Sequence, residues 1–180
     1  MKKLALNKAF MLLEPGPVVM ITTSEKDRAN IMTLSWTMVL DFTPRFAFMT
    51  GSWNHSYKNI IKTGECVIAV PTKELIKKTV QIGSCSGSDI DKFKKFKLTP
   101  LPASLVSAPL IKECYANIEC RVVDHIKKHN IIIVDAVEAW INKTQKSPKF
   151  FHAIGDGRFF VDGQIVNNRK IMSDKLPKGV

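Results

Sequence analysis

The chain is expected to fold as a mainly β domain, an antiparallel barrel closed or partly closed. Six or seven apolar stretches of strand length, short gaps between them and few segments with helical spacing support this reading. No internal repeat interrupts the pattern, and 180 residues suit one domain, 1–180, able to bury a core without disulfides.

Residues 4–13 place Leu4, Leu6, Ala9, Phe10 and Leu13 at helical spacing, and Pro15-Gly16-Pro17 ends that segment. Residues 18–22 form a β-branched strand, and 24–28 turn the chain into the next one. Residues 31–41 alternate imperfectly, with small hydroxyl and thioether side chains where a buried strand usually carries branched aliphatics. The strands continue through 36–41 and 45–50, with Thr43-Pro44 as the turn between them. A polar loop, 51–56, opens a helix over 57–62 that Gly64 closes, and 65–70 is an apolar strand. Residues 73–82 read as a second helix, with Thr72 as N-cap and Gly83 as stop. The segment 83–109 is the least regular, with a short helix near 89–96 and prolines at 100, 102 and 109; it is a candidate lid or dimer arm. Residues 113–125 and 131–141 form a hairpin about the polar turn 127–130, and a last strand, 158–162, precedes a polar tail.

A hydrophobic content of 45% fits a globular protein, and no apolar run approaches the roughly 18 residues that span a bilayer. The start of the chain has lysines like a signal peptide, but Asn7, Lys8 and Glu14 interrupt the apolar region, so a cytoplasmic protein is expected. The net charge of +11 raises the question of a polyanion partner. The lysines are dispersed, however, and their densest clusters (92–97 and 143–149) lack interleaved aromatics on a strand. A solvated lysine-rich surface that attracts a phosphate-bearing ligand accounts for them better than nucleic acid does. The four cysteines show no C-x-x-C spacing and no paired histidines, which argues against zinc. Cys66 is expected in the core. Cys114 and Cys120 are expected on one face of one strand, and Cys85, in a Gly/Ser loop, is the thiol to test for reactivity.

The loop 51–56, rich in hydroxyls and running into a helix N-terminus, offers free N–H groups and a favourable dipole to an anion, typically phosphate. Thr33, Ser35 and Trp36 lie just upstream, adding small polar contacts and a flat ring. A phosphorylated, ring-bearing ligand is the expectation, against the plainer reading that the hydroxyls only cap the helix. There is no G-x-S-x-G and no H-E-x-x-H, so a conventional hydrolase is poorly supported. Without G-x-G-x-x-G after a strand, a nicotinamide cofactor would bind transiently, outside a Rossmann domain.

Four segments in order carry a resemblance: P-G-P-V-V-M-I-T-T at 15–23, N-I-M-T-L-S-W at 30–36, N-H-S-Y-K-N-I at 54–60, and S-G-S-D-I-D-K-F at 86–93 followed by L-T-P at 98–100. They resemble the flavin reductase-like, flavoredoxin-type proteins over about residues 15–160. The resemblance implies a split β-barrel of antiparallel, Greek-key type with a few short helices, binding FMN and usually forming a homodimer. It implies that Asn30, Met32, Thr33, Leu34, Ser35 and Trp36 lie along the flavin, and Ser52, His55, Ser56 and Asn59 near its ribityl phosphate. Lys92 matches the lysine of the D-K-F motif, where a cation would stabilise the reduced flavin or its phosphate. His152 falls where the family's C-terminal segment approaches the flavin. The chemistry would belong to the flavin rather than to a catalytic side chain, with NAD(P)H or a redox protein as electron partner. The implied activity is NAD(P)H-dependent flavin reduction or electron carriage. The alternative is a non-catalytic protein that binds another phosphorylated ligand or a polyanion on the same barrel.

Overall fold

The computed structural model describes residues 1–26, 28–172, 175–177 and 179. Eight strands form one sheet: β1 (Lys2–Lys3), β2 (Val19–Glu25), β3 (Arg28–Leu34), β4 (Thr37–Asp41), β5 (Arg45–Met49), β6 (Glu65–Val70), β9 (Ala116–Ile126) and β10 (Ile131–Ile141). The remaining strands make two small ladders, β7 (Pro100–Leu101) with β8 (Leu110–Ile111) and β11 (Phe151–Ala153) with β12 (Phe159–Val161). Among the described residues three short α-helices accompany them: α1 (His55–Thr63), α2 (Ile76–Gly83) and α3 (Lys92–Lys95).

The main sheet runs in the order β3-β2-β6-β9-β10-β5-β4, antiparallel at every step, with β1 added on β10. Its two ends, β3 and β4, are consecutive in the chain and belong to no common ladder, so the barrel is split there. Residues 31–41, which read as one imperfect strand, are two strands that part at Ser35 and Trp36.

Val19, Ile21, Phe46, Phe48, Ile68, Val70, Ile118, Ile132 and Val134 fill the interior. The strand β10 alternates strictly over Ile132, Val134 and Ala136, whose buried side chains share that core. In β2 and β6 the intervening residues are buried as well, because the outer face is covered. Met20 and Ala69 pack beneath Leu75, Ile82, Phe93 and Leu98, and Val67 packs beneath Ala108 and Leu110. Burial on both faces explains why 66–70 in β6 reads as an unbroken apolar run.

The segment 4–13 is helical, as its spacing suggests, but as a 3-10 helix over Leu6–Leu12 that buries Ala9, Phe10 and Leu12. The turn expected at 24–28 brings Glu25 opposite Arg28; Asp27 lies outside the described residues, as does part of the polar tail. At Gly64 the backbone is left-handed (φ +70°) and its N–H bonds the Ile60 carbonyl, which ends α1 where a glycine is favoured. One expectation is corrected. Cys114 and Cys120 do not share a strand, because the chain turns just before β9, where Cys114 N–H donates to Ile111 O and the Asn117 amide holds both Ile111 N–H and Ile111 O. Cys114 packs in the outer cluster and Cys120 in the barrel core opposite Cys66. The segment 83–109 is bound closely to its own chain: the buried Glu119 carboxylate accepts from Ser104 N–H (2.9 Å), Leu105 N–H (2.6 Å) and Trp140 Nε1–H (2.7 Å).

Candidate functional site

Strand β3, the N-terminus of α1 and the loop after α2 meet at one pocket of about 230 Å³. From β3 come Asn30 and Met32, two residues apart and therefore on the same strand face. From the loop and first turn of α1 come Trp53, Asn54, His55 and Ser56, and from beyond α2 come residues 83–87 and Lys92.

The Asn54 side chain does not cap α1. It donates back to Thr50 Oγ1 (3.0 Å), so the first turn of the helix receives no side-chain acceptor from its N-cap. A helix start left in this way is suited to an anion. Asn30, only 3% exposed, donates through Nδ2 to Ser56 Oγ at 2.8 Å. Its Oδ1 is buried and has no hydrogen-bond partner among the described residues. Such an atom costs about 1–3 kcal/mol if left alone, so a bound water or a ligand group is expected to donate to it. Gly87 sits directly against this amide: a Cβ there would fall 2.0 Å from Asn30 Oδ1. The loop is held at that distance by Arg28, whose Nη2 donates to the carbonyls of Gly87 (2.9 Å) and Ser88 (3.1 Å).

Lys92 opens α3, which is capped by Asp91 Oδ1 accepting from Lys94 N–H. Its side chain turns inward and is only 4% exposed. The ammonium donates to Ile31 O on β3 (2.8 Å) and to Ile82 O on α2 (2.9 Å). Burial draws its pKa below the ordinary lysine value, with the adjacent Cys85 sulfur acting in the opposite direction. An ammonium taken so far from water with two neutral carbonyls as partners is an electrostatic site awaiting negative charge.

Of the residues singled out in the sequence, Asn30, Met32, His55, Ser56 and Lys92 line this one pocket. The others lie elsewhere. Thr33 faces the opposite side of β3 and donates to Thr79 O (2.6 Å). Leu34 packs on the barrel core, and Ser35 and Ser52 are exposed. Trp36 is 65% exposed on a separate apolar patch with Met38 and Phe48. Asn59 is buried, donates to Thr23 Oγ1 (3.3 Å) and lines a shallow depression beside His55. His152 is held by Asp162 Oδ1 (2.8 Å) and Gly16 O (3.1 Å) in the β11–β12 ladder. Burial raises the Asp162 pKa, but the bonds from His152 and from Phe150 N–H outweigh it and hold the carboxyl below the usual range. Residue reading missed Gly87 and Arg28 as parts of the site. The S-G-S-D run signalled the first; nothing in the sequence signals the second. Among the described residues no group of three His, Cys, Asp or Glu side chains converges as a metal site, and no helix is long and apolar enough to cross a membrane.

The model of the flavin reductase like domain matches residues 11–158. An uncharacterized protein of Archaeoglobus fulgidus is 37% identical over 108 residues, 59% of this chain and 61% of that protein, so the match spans about three-fifths of the relative's length. Among solved structures, an FMN-binding domain of flavin reductases-like enzyme from Shewanella baltica superposes with a TM-score of 0.85 at 23% identity, covering 92% of this chain and 95% of the other. Flavoredoxin of Desulfovibrio vulgaris superposes with a TM-score of 0.77 at 22% identity, covering 85% and 90%. At such identities these structures establish the split-barrel fold.

Proposed function

Because the chain belongs to the flavin reductase-like domain family, we propose that it binds FMN and works as an oxidoreductase, an NAD(P)H-dependent flavin reductase or a flavoredoxin-type electron carrier. The observation that carries the proposal is the pairing of a buried acceptor lacking a partner among the described residues, Asn30 Oδ1, with a buried ammonium, Lys92 Nζ, on the wall of one pocket. A flavin ring presents both an N–H and carbonyl oxygens along its pyrimidine edge. Asn30 and Lys92 would hold that edge, and the first turn of α1 with His55 and Ser56 would hold the phosphate. Bound FMN supplies the centre that accepts a hydride or single electrons. The residues around it orient it and keep water out, and Lys92 offsets the negative charge that reduction brings.

The pocket is smaller than the roughly 300 Å³ at which ligand sites usually begin. Trp53, 64% exposed, stands at its rim, and Trp36 and Met38 lie bare at 65% and 56%. We propose that a second copy of the chain covers this side and completes the site as a homodimer.

Absorbance of the purified protein with and without added FMN tests the cofactor. An oxidised-flavin spectrum is expected, and a colourless protein that takes up no FMN refutes the proposal. Anaerobic mixing with NADH and NADPH then divides its two forms: rapid bleaching identifies a reductase, whereas reduction only by a ferredoxin-like donor identifies a carrier. The charge of +11 carries the rival reading, a polyanion-binding protein, which binding indifferent to flavin and steeply weakened by salt would establish.

A further inference from the structure

Three of the four thiols are out of reach of any reagent. Cys66, Cys114 and Cys120 have no exposed surface and pack among aliphatic side chains. Cys85 is different: it is partly exposed, in the loop just after α2, and it lines the pocket beside Asn30 and Lys92. Its Sγ–H is directed at the last turn of α2, 3.3 Å from Gln81 O and 3.6 Å from Ile82 O. Ile82 O is also the acceptor of the Lys92 ammonium at 2.9 Å, so one carbonyl fixes sulfur and ammonium side by side. An independent observation points to a ligand at the same pocket: Asn30, a lining residue 97% buried, has an Oδ1 with no hydrogen-bond partner among the described residues.

We infer that Cys85 is a redox-modification site that governs whether the pocket can be filled. The inference rests on the flavin reading above. A low-molecular-weight disulfide of the glutathione type is the co-reactant. The Cys85 sulfur attacks one sulfur of the disulfide, a protein–glutathione S–S bond forms, and the original S–S bond breaks. The second glutathione leaves as a thiol with the proton Cys85 gives up. Cys85 is oxidised and one glutathione is reduced, and an added thiol reverses the exchange. Cys85 shares the pocket wall with Asn30 and Lys92, where the flavin edge is placed above, so an adduct there and the flavin exclude each other.

The full-length purified chain is incubated with oxidised glutathione with and without saturating FMN, and the adduct is located by peptide mass spectrometry. FMN affinity is read by flavin fluorescence before and after treatment. The expected adduct is on Cys85 alone. Bound FMN slows it by at least about tenfold, and the treated chain binds FMN at least about tenfold more weakly until dithiothreitol restores it. In Cys85→Ser the affinity is the same before and after treatment. A Cys85 adduct that forms equally fast with FMN bound, or that binds FMN as tightly as the untreated chain, overturns the inference while leaving the flavin reading in place. An untreated chain that binds no FMN overturns both.

Discussion

Replacing Lys92 by methionine separates the cost of burying a charge from its use. The ammonium makes two hydrogen bonds, to Ile31 O and Ile82 O, in a site only 4% exposed. Bonds to a charged group contribute about 1.5–3 kcal/mol each, or about 3–6 kcal/mol for the pair. Removing the ammonium from water costs several kcal/mol in return. The two effects nearly cancel, and methionine fills a similar volume, so the ligand-free variant is expected to keep its stability within about 2 kcal/mol. FMN binding loses one charge-assisted bond of about 1.5–3 kcal/mol, which raises the Kd by about 10- to 150-fold. Stability against pH gives a second readout. Burial holds the folded pKa below 10.5, so the unfolded chain binds the proton where the folded chain does not. Wild-type stability therefore gains a rising contribution as pH climbs from the depressed value towards 10.5, and Lys92→Met lacks it. Flavin fluorescence titration and urea melts at several pH values measure both. A variant with native circular dichroism and wild-type FMN affinity refutes the assignment of Lys92 to the ligand.

Gly87→Ala places a methyl group 2.0 Å from Asn30 Oδ1; overpacking of about 1–3 kcal/mol and weaker FMN binding are expected, by urea melt and fluorescence titration. Glu119→Ala leaves three donors without their carboxylate and is expected to cost about 3 kcal/mol or more, with faster hydrogen exchange at the Ser104 and Leu105 amides. Met38→Glu puts a charge on the bare patch beside Trp36, and light scattering is expected to report a monomer with lowered FMN affinity; a persisting dimer moves the interface elsewhere.

The strands 65–70 and 131–141 could be read to the residue. In the first, burial on both faces leaves an unbroken apolar run over 66–70; in the second, the apolar run 131–134 directly after the polar turn marks the strand, while the alternate burial of Ile132, Val134 and Ala136 belongs to the fold. The strands β1, β7 and β8, only two residues each, are too short to show any period. The break at Ser35-Trp36 carries no glycine or proline to announce it. In the site, the run N-I-M-T was legible as a unit, but strand geometry divides it. Asn30 and Met32 face the pocket, whereas Thr33 turns to α2. The inward turn of Lys92 was not legible, because lysine is almost never fully buried and only the meeting of β3 with α2 supplies its two carbonyls.

The pairing of β1 with β10 bears on how the chain is made. Lys2 and Lys3 lie opposite Ile141 and Trp140, so β1 must wait for some 140 later residues before it meets its partners. Early in that interval β2 has only its hairpin with β3, until β6 and the helices beyond it cover Met20 and Ile21, and β5 and β9 each keep an unpaired edge until β10 arrives. Nascent chains truncated before residue 131 are therefore expected to be sticky, and to lose that property once β10 has emerged.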